Sequence, residues 1–232
     1  MDLGLHHFDV SDRRIAYRLR SGASPTLLFL PGYGSDMEGA KALALDGFLE
    51  RRGVAMLRID YSGTGSSEGR FEDGTLALWL EEALAALDQL TSGSVVIVGS
   101  SMGGWIALHL ALLRPERIHA LVGIAAAPDF TQWGFQDGDD ASSKGIARGF
   151  FESGQRLLLL DHEIAIDCPV RLIHGEADRE VPPDVAFRLM RRLRSSDVQL
   201  NVLKGGGHRL SEPNEIRAIL ATVEALLEPM TS

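Results

Sequence analysis

Short runs of nearly uninterrupted apolar residues recur along this chain, and stretches patterned for helix lie between them. TLLFL at 26–30, VAMLRI at 54–59, VVIV at 95–98, the segment 118–125 and VRLI at 170–173 show little alternation between apolar and polar positions. Runs of that kind suit strands buried on both faces of a parallel sheet. VQLNVL at 198–203 alternates more, which suits a sheet edge. The opening segments, 5–10 and 13–20, read as a hairpin turning at Ser11 and Asp12. The stretch 76–90 carries an apolar stripe at helical period. WIALHLALL at 105–113 is apolar nearly all round and predicts a buried helix, while 185–193 and 215–227 are amphipathic. The order predicts an α/β fold, a doubly wound, mostly parallel sheet with an N-terminal antiparallel hairpin.

The alternation breaks once. Residues 129–167 are Gly-rich and acidic, then aromatic, with a helix expected at 142–160. This reads as a short lid insertion after a strand end, where α/β proteins place binding loops. Its aromatic residues Trp133, Phe135, Phe150 and Phe151 serve either to pack the lid onto the body or to line an apolar site. Trp133 and Phe151 are the candidates for substrate contact. No linker or repeat divides the 232 residues, so one domain spanning 1–232 is expected.

Charge narrows the partners. Lys and Arg number 23 against 32 Asp and Glu, a net charge of −9 that would repel a phosphate backbone or an anionic membrane. No apolar run is long enough to span a bilayer. The one cysteine, Cys168, can form no internal disulfide and reads as a small buried residue rather than a nucleophile. The N-terminus has neither the basic nor the apolar region of a signal peptide, so a cytoplasmic location is expected.

Two pentapeptides match G-x-S-x-G, centred on Ser67 and Ser101. The pattern marks a sharp strand-to-helix turn that lifts a serine hydroxyl clear of a sheet. Ser101 directly follows VVIVG and directly precedes the apolar helix, whereas Ser67 is followed by loop. Ser101 is therefore the candidate nucleophile. A serine needs a base. Of seven histidines, His208 follows the final strand in a Gly205-Gly206-Gly207 loop able to carry an imidazole over a neighbouring strand end. The acid that orients it should follow the penultimate strand, where Glu176, Asp178 and Glu180 compete. Asp178 stands at the turn position before Val181-Pro182 and is preferred. The order Ser101, Asp178, His208 is that of the α/β hydrolases and of no other triad fold. Two N–H donors are needed for an oxyanion. Met102 supplies one, and Tyr33, with Gly32 as the alternative, supplies the other. The turn Asp60-Tyr61-Ser62-Gly63 reads as a structural loop beneath this site.

Taken together, Leu30-Pro31-Gly32-Tyr33, Lys41-Ala42-Leu43-Ala44, Asp60-Tyr61-Ser62-Gly63, the segment from Val98 to Trp105 (VGSSMGGW) and that from Cys168 to Gly175 (CPVRLIHG) resemble the α/β-hydrolase-domain subfamily 10. The resemblance covers most of the chain outside the insertion. It implies a serine esterase or thioesterase acting on acyl groups, with Ser101, Asp178 and His208 on the triad positions. The expected substrate is a small-molecule acyl ester or thioester; acyl transfer through a serine needs no metal or organic cofactor, and no metal-ligand cluster stands at usable spacing. The chain is expected to be a bacterial-type relative. Rival expectations are peptide or C–C bond cleavage on the same fold, or an inactive binding protein on a hydrolase scaffold. Acyl-chain length and oligomeric state stay open at this level.

Overall fold

A computed structural model describes residues 4–134 and 148–227. Eight strands form one sheet: β1 (His6–Val10), β2 (Arg13–Arg20), β3 (Ala23–Leu30), β4 (Val54–Ile59), β5 (Val95–Ser100), β6 (Ile118–Ile124), β7 (Val170–Gly175) and β8 (Val198–Leu203). Their spatial order is β1-β2-β4-β3-β5-β6-β7-β8. β1 pairs with β2, and β2 with β4, antiparallel; β4, β3 and the strands beyond are parallel. The expected hairpin and parallel sheet are thus present, with the alternating strand β8 at an edge.

Successive residues of the central strands face opposite cores, because side chains alternate across a strand. Leu28 and Leu30 join Trp79, Trp105 and Ile106 on one side, and Leu27 and Phe29 join Leu45, Phe48 and Val223 on the other. The first side is covered by α2 (Leu76–Leu90), α3 (Met102–Leu113) and α6 (Pro183–Arg192), and the second by α1 (Ala40–Glu50) and α7 (Pro213–Leu227). Burial on both faces explains why these strands lack a polar period. α1 has no counterpart among the helices expected from sequence. Its core residues Ala42, Leu45, Phe48 and Leu49 keep helical spacing, but exposed Leu43 lies among them and blurs the stripe.

The insertion differs from expectation. Residues 135–147, Phe135 included, lie outside the described residues. Beyond them, helix is confined to α5 (Arg148–Gly154), preceded across the gap by the short α4 (Phe130–Trp133). The expected helix does not reach residue 160. The N–H groups of Leu159 and Leu160 instead donate to the buried carboxylate of Asp129, at 2.7–3.0 Å, which takes them out of any helical ladder. Phe150 of α5 is fully buried, stacked on Phe130 at 5.5 Å and packed near Tyr33 and Trp79. α3 grips the following segment, with Trp105 Nε1 and His109 Nε2 both 3.0 Å from Leu157 O. A carbonyl only accepts, so the His109 proton sits on Nε2. No helix among the described residues is long and apolar enough to cross a membrane.

The second G-x-S-x-G match proves to be a structural turn. Ser67 Oγ accepts the Ala16 N–H at 2.8 Å and donates to Asp60 O at 2.8 Å, tying the turn to β2 and to the end of β4. Ser67→Ala leaves both backbone groups short of a partner and is expected to cost about 1–3 kcal/mol of stability. Urea denaturation measures it, and an unchanged midpoint would remove this role.

Candidate active site

The chain reverses direction across the sheet between β3 and β5, which are neighbours although β4 separates them in sequence. Ligands of open α/β sheets bind outside the C-terminal strand ends at such a switch point. The loops after β3, β5, β6, β7 and β8 converge there around a cavity of about 780 Å³, lined in part by Tyr33, Ser101, Phe130, Trp133 and His208.

Ser101 occupies the turn between β5 and α3 with φ 53° and ψ −118°, a region that costs a non-glycine residue about 1–3 kcal/mol. Neighbouring backbone holds it there. Its N–H donates to Ile124 O at 2.9 Å, and its carbonyl accepts from Gly104 and Ala127 N–H at 2.9 and 3.1 Å. The turn packs so close to the end of β3 that a Cβ on Gly103 would overlap Leu30 O.

A hydrogen-bonded chain runs from this hydroxyl into the protein. His208 Nε2 is 3.1 Å from Ser101 Oγ, and His208 Nδ1 is 2.9 Å from Asp178 Oδ2. Asp178 is buried. Burial alone would raise its pKa, but hydrogen bonds from His174, His208 and the Val181 N–H outweigh it and hold the carboxyl well below the usual carboxylate range. An ionised carboxylate has no proton to give, so Nδ1–H donates to it, which leaves Nε2 as the ring nitrogen facing the serine hydroxyl. The other carboxylate oxygen, Oδ1, accepts the N–H groups of Glu180 and Val181 at 2.9 Å each. That turn fixes the carboxylate before any histidine reaches it.

Of the rival acids, Glu176 is exposed, and its side chain accepts Gly205 N–H at 3.0 Å. Glu180, 71% exposed, lies 3.8 Å from His208 Nε2, on the serine side of the ring. Neither meets Nδ1. The loops after β7 and β8 are laced together by backbone, with Glu176 N–H on Leu203 O and Ala177 N–H on Gly206 O, both 2.9 Å. A Cβ on Gly175 would overlap Gly206 O. This contact brings residues 178 and 208 within reach of one another.

Met102 begins α3, so its N–H has no intrahelical acceptor and lies at the positive end of the helix. Tyr33 sits across the turn, in a loop that also carries a Ser35 N–H to Gly32 O bond of 3.1 Å. Its ring lies 4.9–5.8 Å from those of Phe71, Trp79 and Phe150. The end of β4 holds the continuation of this loop. Asp60 Oδ1 accepts Met37 N–H at 2.7 Å, and Arg58 donates to Met37 O at 2.8 Å. Burial raises the Asp60 pKa, although bonds from the Ser66 and Met37 N–H groups oppose it.

Trp133 lines the cavity, joined by Phe130 from the same short helix. Phe151 is half-buried on α5 and, among the described residues, is not part of the wall. Helix geometry explains the split, since adjacent positions 150 and 151 point about 100° apart and Phe150 turns into the core. The Cys168 thiol is half-buried and pushed up to about 11 by burial, so it stays protonated. Sequence reasoning passed over Lys41 and His174. Lys41 lines the cavity and donates from Nζ to Arg209 O, next to His208; burial lowers its pKa, with nearby Glu215 opposing and Arg209 adding to the shift. His174 touches Asp178 Oδ2 at 3.3 Å. Its only sequence signal was its place at a strand end four residues before the acid.

Residues 25–144 match the α/β hydrolase fold family. The chain belongs to that family. It is 35% identical to a Homo sapiens protein, palmitoyl-protein thioesterase ABHD10, mitochondrial, over 94% of this chain and 78% of the relative. Among solved structures it is similar to mouse α/β hydrolase domain-containing protein 10, at 33% identity and a TM-score of 0.91, covering 97% of this chain and 98% of that one. It is equally similar to a putative hydrolase from Agrobacterium vitis S4, at 36% identity and a TM-score of 0.91, covering 97% and 99%.

The geometry assigns the orienting contact to Asp178 and not to its neighbours. Asp178→Asn is expected to lower the kcat of any His208-dependent reaction by roughly 10³–10⁴, because the amide favours the wrong imidazole tautomer. Glu176→Gln is expected to cost little. Steady-state kinetics of the two purified variants measure this, and the reverse ranking would move the acid to Glu176.

Proposed function

We propose that the chain is a serine hydrolase that cleaves carboxylic esters or thioesters through an acyl-enzyme on Ser101. The observation that carries the reading is the position of His208, with one ring nitrogen on the buried, ionised Asp178 and the other on the strained Ser101 hydroxyl. The thioesterase name of the 35%-identical human relative supports the same chemistry.

In this mechanism the substrate carbonyl lies above Ser101. His208 Nε2 takes the hydroxyl proton as Oγ forms its bond to the carbonyl carbon. The N–H groups of Met102 and Tyr33 receive the oxyanion. Collapse breaks the bond to the alcohol or thiol, and His208 returns the proton to that leaving group. Water then attacks the acyl-enzyme, giving its proton to Nε2 before Ser101 regains it. Asp178 keeps the ring in place and offsets its charge while the imidazolium exists. No step calls for a metal or an organic cofactor.

The acyl group would lie against Trp133 and Phe130. Each CH₂ withdrawn from water contributes about 0.8 kcal/mol, roughly fourfold in affinity. A fluorophosphonate probe is expected to label the wild type and not Ser101→Ala, which should also lose on the order of 10⁶ in kcat. Failure of the wild type to label would overturn the reading. In a series of p-nitrophenyl esters from acetate to palmitate, kcat/KM is expected to rise to medium chains. Trp133→Ala is expected to flatten the rise and Phe151→Ala to leave it intact. An acetate preference unchanged by Trp133→Ala would show that this wall does not hold the acyl chain.

A further inference from the structure

The chain of contacts that begins at Ser101 does not end at Asp178. His174, the fifth residue of β7, is 1% exposed, and its Nε2 is 2.9 Å from Val181 O and 3.3 Å from Asp178 Oδ2. Both neighbours are acceptors, one a carbonyl and the other an ionised carboxylate. Nε2 therefore carries a hydrogen, bonded to Val181 O with Asp178 Oδ2 in close contact beside it. Asp178 Oδ2, the oxygen that receives His208 Nδ1–H at 2.9 Å, thus also has the His174 Nε2–H group within 3.3 Å. Oδ1 is occupied separately by the Glu180 and Val181 N–H groups.

We infer that His174 is a positioning residue for the proposed hydrolase reaction, acting through Asp178 Oδ2 to set both the direction and the basicity of the carboxylate that His208 leans on. The inference rests on the reading of Ser101, His208 and Asp178 given above and extends it to a second histidine.

The physical consequence has a sign. A donor at Oδ2 draws off part of the carboxylate's negative charge and so weakens its pull on a proton held by His208. Without that donor the His208 imidazolium is favoured more strongly, and the ring stays protonated to higher pH. The base must be neutral to accept the serine proton, so the acid-side fall in activity moves to higher pH. Other groups also face this histidine. Glu180 Oε2 lies 3.8 Å from His208 Nε2, and Ser101 Oγ 3.1 Å. Lys41 and Arg209 line the same cavity. None of them is altered when position 174 alone is substituted, so a shift in a folded variant reports the His174 contact.

Reach separates the variants that test it. A glutamine amide extends as far as the Nε2 of histidine, whereas an asparagine amide extends only as far as Nδ1. Phenylalanine keeps the ring volume and has no donor. His174→Gln, His174→Asn and His174→Phe are compared in two ways. The first is the pH dependence of kcat/KM with a p-nitrophenyl ester. The second is NMR titration of the His208 ring in a Ser101→Ala background, which needs no turnover. For Asn and Phe, both midpoints are expected to move up by about half a pH unit to one unit, with kcat down roughly tenfold. For Gln, both are expected to stay with the wild type. Folding of each variant is checked by thermal denaturation, and Phe carries the comparison if Asn does not fold.

Midpoints unchanged in a folded Asn or Phe variant would overturn the inference, as would a Gln variant that shifts as far as they do. The proposed hydrolase reading fails separately, by absence of turnover and of fluorophosphonate labelling in the wild type.

Discussion

Everything at this site hangs on how the backbone of Ser101 is held. At φ 53° and ψ −118° the residue is strained, and the strain persists only because the surroundings leave no alternative. Its N–H is taken by Ile124 of β6, and its carbonyl by Gly104 and Ala127. The first turn of α3 is pressed against the end of β3, where Gly103 has no room for a side chain. Strand, helix and the two neighbouring strands thus aim one hydroxyl at the cavity. The same turn leaves the Met102 N–H pointing out of the helix beside it.

The remaining parts reach that hydroxyl through loop contacts that are themselves tied down. Asp178 is set by two backbone N–H groups of its own turn and by His174 below. The Gly205-Gly206 segment is bonded to the loop after β7, which positions His208. The loop that bears Tyr33 is fixed from the end of β4, where Arg58 and Asp60 hold both sides of the Met37 backbone. Arg58, Asp60 and His174 among these supports are not part of the cavity wall. Their effect is to keep polar groups in one arrangement, which matters because donors already in place need not reorganise as charge develops.

Over the site the lid obeys core packing more than ligand shape. Phe150 fills a pocket among Tyr33, Trp79 and Phe130, and Asp129 captures the chain again at Leu159 and Leu160. Among the described lid residues, Phe130, Trp133 and Gly134 face the cavity.

The sequence by itself determined the parallel sheet, the hairpin at its edge and which of the two serine motifs forms a strand-to-helix turn. Those features depend on local period and on neighbours in the chain. A strand buried on both faces must be apolar throughout, and a serine poised between such a strand and an apolar helix is placed by its own flanks. α1 escaped because exposed Leu43 interrupts its apolar face and leaves it only weakly amphipathic, and the lid helix was drawn too long because a carboxylate 30 residues away captures its N–H groups. The turn before Val181-Pro182 favoured Asp178 in sequence, but its contact with His208, the lid aromatic that faces the cavity, and the contacts of His174 and Lys41 were decided only by tertiary structure. Three carboxylates, Glu176, Asp178 and Glu180, stand within five residues of one another. Only the lacing of two loops, 30 residues apart, makes one of them the partner of the imidazole.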